Sequence, residues 1–385
     1  MPSYHALGKI PPKRHTQFRR PDGGLYSEEL FGEEGFSGVA SLLYHQYPPT
    51  RVSKIERFGA ACENEWTQVT HRHHHLKAGQ LTAGGDPIAG RKTLMYNADC
   101  AISAVVPSEP MDYFYRNAMG DELLFVHHGT GLLETTFGSL PYREGDYILL
   151  PRGTTWRAQA DKGEQRMLVV EAFGHAIQPP KRYRNEFGQL LEHSPYCERD
   201  LHAPTELPLH EERGEFTVRI KVNNELMTYT YDFHPLDVVG WDGFLYPYTF
   251  NIGDFEPITG RVHQPPPVHQ TFEGPNFVVC SFCPRKLDYH PQAIPVPYNH
   301  SNIDSDEMIY YVSGNFGSRK GIETSSITLH PRGIAHGPHP GTVEKSLGAE
   351  RTEELAVMVD TFRPLKFGAP AEAIDDPQYP FSWLE

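Results

Sequence analysis

The tightest constraint on this chain is a pair of motifs that occurs twice. Six residues separate Glu122 from Gly129, and six separate Glu307 from Gly314. Two residues separate Pro151-Arg152-Gly153 from Trp156, and two separate Pro331-Arg332-Gly333 from His336. Such a duplication limits the fold to one built from two similar units. Short apolar runs around the motifs stop at turn residues. Leu123-Leu124-Phe125-Val126 ends before Gly129 and Tyr147-Ile148-Leu149-Leu150 before Pro151, while Met308-Ile309-Tyr310-Tyr311-Val312 ends before Gly314 and Ile327-Thr328-Leu329 before Pro331. Runs of this kind predict the strands of an all-β sandwich or barrel. The 34 glycines and 34 prolines favour frequent turns over long helices.

The strand-and-turn pattern runs from about 95 to 175 and returns from about 236 to 365. We therefore expect an N-terminal β domain over 1–235, with a degenerate repeat at about 95–175 and a polar, irregular connection over 176–235. A C-terminal catalytic domain is expected over 236–385. Ser27 to Leu30 reads as a short helix-like piece, and Lys13, Arg14, Arg19 and Arg20 as a solvated arm or subunit contact.

Composition narrows the partners. The formal charge of −14 argues against a nucleic-acid surface and against anionic membranes. No apolar signal segment follows Met1-Pro2-Ser3 and no long apolar run occurs, so a cytoplasmic protein without a membrane span is expected. Five cysteines, Cys62, Cys100, Cys197, Cys280 and Cys283, fit free thiols in a reducing compartment. A single C-x-x-C has no second pair to complete a zinc ribbon, so Cys280 and Cys283 read as apolar strand residues.

The second copy carries the chemistry. His300, Glu307 and His336 offer two imidazoles and a carboxylate, a set that suits Fe(II), Mn(II) or Zn(II) with coordination positions left open. His300 and Asn302 lie two apart and so share one face of a strand. The first copy keeps Glu122 but has Tyr115 and Trp156 where His300 and His336 fall, and neither is a usual iron(II) ligand. Copy one therefore reads as structural and copy two as catalytic. His71-Arg72-His73-His74-His75 reads as a surface cluster, because adjacent histidines on a polar loop cannot all face one ion. Arg332 invites a role in anion binding, yet Arg152 stands at the same place in the metal-less copy, which favours a structural or exposed role.

The paired motifs resemble those of the cupin superfamily, which implies two cupin-like β-barrels of the jelly-roll type joined by irregular segments. Within it, Val238-Val239-Gly240-Trp241-Asp242-Gly243-Phe244-Leu245-Tyr246-Pro247-Tyr248-Thr249-Phe250-Asn251, Leu25-Tyr26-Ser27-Glu28-Glu29-Leu30-Phe31-Gly32 and His336-Gly337-Pro338 resemble segments of homogentisate 1,2-dioxygenases. The resemblance implies Fe(II) on His300, Glu307 and His336, with His330, Phe316 and His336 beside the substrate. It also implies a catalytic histidine, for which His263 and His269 are the two candidates. The implied reaction joins homogentisate and O2 to give maleylacetoacetate, a step of tyrosine and phenylalanine catabolism, in a homo-oligomer of trimer or hexamer type.

Two departures keep other substrates open. The interval from His300 to Glu307 is one residue longer than in the animal-type enzymes, and Phe316 stands where those carry a substrate-contacting tyrosine. The alternatives are a cupin dioxygenase for another hydroxylated aromatic acid such as gentisate, a non-enzymatic bicupin, or a zinc or manganese isomerase of cupin type.

Overall fold

The strands close the chain into stacked sheets whose two repeats lie back to back. The structure is a computed structural model that describes residues 3–61, 64–174, 176–296, 298–316 and 321–384. Cys62 lies outside the described residues. Two seven-stranded sheets, a six-stranded sheet and two smaller ones account for nearly all regular structure among them. The α-helices described, Thr342–Ser346 and Ala369–Glu372, are single turns. The all-β expectation stands.

Alternation along the strands decides the layering. In the strand Gly120–His128, Leu123 and Phe125 face one way and Leu124 and Val126 the other. Leu123 and Phe125 join Tyr147, Leu149, Leu168 and Val170 in the largest core, and the same core receives Met308, Tyr310, Val357 and Val359 from the second repeat. Leu124, Val126, Ile148 and Leu150 instead pack around Tyr115 and Trp156 inside the first repeat. Each repeat thus turns one face to its sibling and keeps the other for its own interior. The motif glycines behave alike in both copies: Gly129 has φ +100° and Gly314 φ +98°, a region where a side chain strains the backbone.

Strand pairing crosses position 236 in both directions, so the boundary expected at 235/236 is not a boundary of the sheets. Val238–Gly243 pairs with His5–Gly8 and Ala40–His45, and Tyr248–Asn251 pairs with Asp146–Leu150. Conversely, His74–Leu76 completes the six-stranded sheet of the second repeat beside Ile327–His330. Lys366–Phe367 pairs with Lys92–Tyr96.

Two local expectations are corrected. Ser27 to Leu30 is not helix-like; it begins the strand Ser27–Gly32, paired with Ala40–His45, because tertiary pairing overrides the weak local preference of so short a piece. The polar stretch 176–235 is irregular only in its first part. Arg213–Val222 and Glu225–Phe233 form a long hairpin turned at Asn223, which has φ +53°, and Arg213–Val222 also pairs in parallel with Phe114–Asn117. Lys13, Arg14 and Arg19 are exposed, as a solvated arm requires.

Candidate metal centre

Glu307 is the second residue of the strand Asp306–Ser313 and lies on the face opposite Met308, which is in the shared core. Its cross-strand neighbours are His330 on one side and Asp360 on the other. His300 does not sit in a full strand. It makes one antiparallel bridge with His336, in which each backbone N–H donates to the other's carbonyl at 2.8 Å. That bridge sets the two imidazoles side by side, with ring centroids 4.2 Å apart. His300 Nε2 lies 3.5 Å from Glu307 Oε2, and His336 Nε2 lies 3.4 Å from Glu307 Oε1. One donor atom from each of the three falls within 4.8 Å of the others. The three residues expected as ligands are therefore brought together.

The donor set fits a divalent cation. His336 Nε2 is buried with no hydrogen-bond partner among the described residues, and it faces the carboxylate. Burying such an atom without a partner is costly, and a metal ion would satisfy it. Burial would raise the Glu307 carboxyl, yet the surrounding His300, His330 and His336 imidazoles outweigh it and hold Glu307 well below the ordinary carboxylate range. The carboxylate is thus charged and able to bind a cation.

The turn carrying His336 is anchored by Asp306, whose carboxylate accepts from the Arg332 backbone N–H at 2.9 Å, Arg332 Nε at 3.0 Å and the Leu365 N–H at 2.7 Å. Copy one repeats the arrangement, with Asp121 accepting from the Arg152 N–H at 3.0 Å and the Ile177 N–H at 2.9 Å. The structural role expected of Arg332 stands.

His330 is fully buried, with Nδ1 2.8 Å from Glu307 Oε1 and Nε2 3.3 Å from the Tyr379 hydroxyl. Its ring stacks on His336 at 4.5 Å. Both nitrogens thus engage protein groups, and the side chain orients the carboxylate. His263 is half-buried 3.9 Å from Asp288, and its ring lies 5.6 Å from Tyr298, which in turn lies 6.4 Å from His300. Burial lowers its pKa. His269 is buried against Phe282, its Nδ1 has no hydrogen-bond partner among the described residues, and burial pushes it down to about 3. Both rings are therefore neutral at pH 7. Phe316 is buried edge-on against Tyr311, with centroids 4.8 Å apart.

Of the histidine run only His71 is exposed; His73, His74 and His75 are not a surface cluster. His73, His74 and His75 are 8%, 2% and 3% exposed, because the strand His74–Leu76 lies between the second sheet and the segment around Asp375. His74 Nδ1 bonds Asp375 at 2.9 Å, and His73 sets its ring 5.5 Å from His330 and 6.0 Å from His336. Sequence reasoning also missed Asp360. Burial and the Glu307 charge raise its carboxyl well above the ordinary range, and its Oδ1 has no hydrogen-bond partner among the described residues. An acid directly after the apolar run Leu355 to Val359 was the available signal. Below this row of polar groups Cys280, Met358, Ile309 and Phe282 form an apolar floor. Cys280 is buried within the strand Phe277–Phe282 and Cys283 is buried just past its end, each packed in an apolar cluster. A groove of about 1270 Å³ runs elsewhere, past Glu33, Arg152, Gln178 and Arg184. Donor geometry, not volume, marks the site.

The chain is similar to known dioxygenases along nearly its whole length. The family model described as Homogentisate 1,2-dioxygenase N-terminal matches residues 65–252. A Saccharolobus solfataricus protein whose dioxygenase designation is provisional and names no substrate is 45% identical, over 99% of this chain and 98% of that one. The homogentisate 1,2-dioxygenases of Emericella nidulans and Arabidopsis thaliana are each 28% identical, over 90% and 88% of this chain and 83% and 78% of theirs. The chain belongs to the homogentisate 1,2-dioxygenase family, and dioxygenase chemistry is the family's common ground.

Proposed function

We propose that this chain is an Fe(II)-dependent ring-cleaving dioxygenase that converts homogentisate and O2 to maleylacetoacetate. The observation that carries the reading is the compact His300, Glu307 and His336 cluster in a chain of this family. Bound Fe(II) would supply Lewis acidity and redox chemistry toward O2 at positions the three ligands leave open.

The remaining work falls to the protein. His330 holds Glu307 in register through its 2.8 Å contact. His263, neutral and half-buried on the His300 side, has the basicity to take the proton of a substrate hydroxyl at a ring nitrogen. His269, more deeply buried, walls the chamber with Phe282 and keeps water from the ring. The apolar floor of Cys280, Met358 and Ile309 suits the face of an aromatic ring. Phe316, buried against Tyr311, supplies no hydroxyl for a polar substrate group.

Phe316 is the feature that favours a second reading, a cupin dioxygenase for another hydroxylated aromatic acid such as gentisate. Anaerobic loading with Fe(II), then oxygen uptake with each acid, separates the two. Rapid uptake with homogentisate and formation of an ultraviolet-absorbing ring-opened product supports the first. Uptake with gentisate alone supports the second, and no uptake with either acid, despite bound iron, overturns both. Assembly into a trimer or hexamer and a cytoplasmic location belong to the same proposal, and sedimentation and cell fractionation test them.

A further inference from the structure

The segment Tyr379–Leu384 lies against the metal centre rather than trailing away from it. Tyr379 OH is 3.3 Å from His330 Nε2, and the other nitrogen of His330 is 2.8 Å from Glu307 Oε1. One chain of contacts therefore runs from the segment to a ligand oxygen. A second reaches the turn of the next ligand. Trp383 Nε1–H donates to the Gly337 carbonyl at 3.2 Å, one residue after His336. The Trp383 ring stacks on His339 at 4.1 Å and 15°, and His339 Nε2 is 2.7 Å from Ser382 Oγ. Trp383 also contacts His73, whose Nε2 is 3.2 Å from the Ala335 carbonyl. The His336 turn is thus held on both sides. The segment is itself tied down, because the Asp376 N–H donates to the His75 carbonyl and the Lys77 N–H to the Ile374 carbonyl.

We propose that Tyr379 and Trp383 are positioning residues of the metal centre: they fix His330 and the His336–Gly337 turn so that Glu307 and His336 are preformed for a divalent cation. Neither needs to touch the ion. Groups that orient ligands in this way change metal affinity by about 10- to 100-fold when removed, because the free protein must then order the ligands as it binds. The inference rests on the triad being a cation site but not on the substrate, so it is read without any turnover.

The experiment measures Co(II) affinity by competition with a chelator, together with the Co(II) visible spectrum and the melting temperature of the metal-free protein. Tyr379→Phe deletes one oxygen and keeps the ring. Trp383→Leu removes the stack and the N–H, and Trp383→Phe restores the stack alone. Phe381→Ala, at a 57% exposed position of the same segment, is the control. Tyr379→Phe and Trp383→Leu are each expected to weaken Co(II) binding about tenfold. Trp383→Phe should recover part of that loss, and Phe381→Ala should bind as the native protein does. Unchanged affinity in Tyr379→Phe and Trp383→Leu overturns the proposal. So does a loss shared by Phe381→Ala and matched by its melting temperature, which marks a merely structural role. Should Trp383→Leu fail to fold, Tyr379→Phe decides.

Discussion

Glu122 and Glu307 occupy the same place in two sibling repeats and meet opposite fates. Glu122 is buried in an ion pair with Arg91, beneath Tyr115 and Trp156, whose rings meet edge-on at 5.5 Å. Glu307 is buried among three imidazoles, with His336 Nε2 lacking a hydrogen-bond partner among the described residues. The frame around them is shared, down to the Asp121–Arg152 and Asp306–Arg332 anchors and the left-handed glycines. The difference teaches that the backbone repeat does not make the metal site. In one copy a guanidinium supplies the positive charge permanently, and in the other the charge is left for a cation to bring.

The largest test removes a ligand from the live copy. His336→Ala is expected to weaken metal binding by more than about a hundredfold, beyond the loss from an orienting group, and metal analysis of the purified protein checks it. Retained stoichiometric metal would break the comparison. The matching change in the other copy is Arg91→Met, which leaves Glu122 buried and uncompensated. It should cost about 3–5 kcal/mol of stability in urea unfolding, while metal content stays at the native level.

A third test separates the halves by pH. Burial opposes a charge on His45, but the Asp237 and Glu29 carboxylates outweigh it and raise the imidazole to about 9. The folded value lies above the ordinary 6.5, so this stabilisation is complete below about 6.5 and is lost as pH rises through about 9. It amounts to about 3 kcal/mol. The metal-free melting temperature should fall across that window and a His45→Gln variant should not show the same fall; equal slopes would refute the assignment. The smallest effect compares the anchors. Arg152→Ala and Arg332→Ala should each cost about 1 kcal/mol of stability, yet only the second should weaken metal binding, because only that turn carries a ligand. Equal metal affinities in the two variants would show that the turn anchor is irrelevant to the centre.

What was legible in the sequence follows from how locally it is written. Glu307, Gly314, Pro331 and His336 form motifs whose spacing alone implies strands, turns and donors, and the structure unites them with His300. The demotion of copy one needed only Tyr115 and Trp156. Tyr379, Trp383 and His73 were not legible, since each reaches the site through contacts between segments far apart in the chain. The histidine run misled because its polarity signals exposure, whereas a strand covered on both sides buries residues in succession. The hairpin over 213–233 did carry a signal: Met227, Tyr229, Tyr231 and Phe233 alternate after the Asn223-Asn224 turn. The charged Arg213, Glu215, Arg219 and Lys221 of the facing strand mask that pattern.

The most direct test of the central claim is an anomalous-scattering map of crystals loaded with Fe(II), recorded at the iron edge. The account predicts a single peak per chain, bounded by His300 Nε2, His336 Nε2 and the Glu307 carboxylate. A peak beside Glu122, or at the histidines of residues 71–75 with none at Glu307, would contradict it.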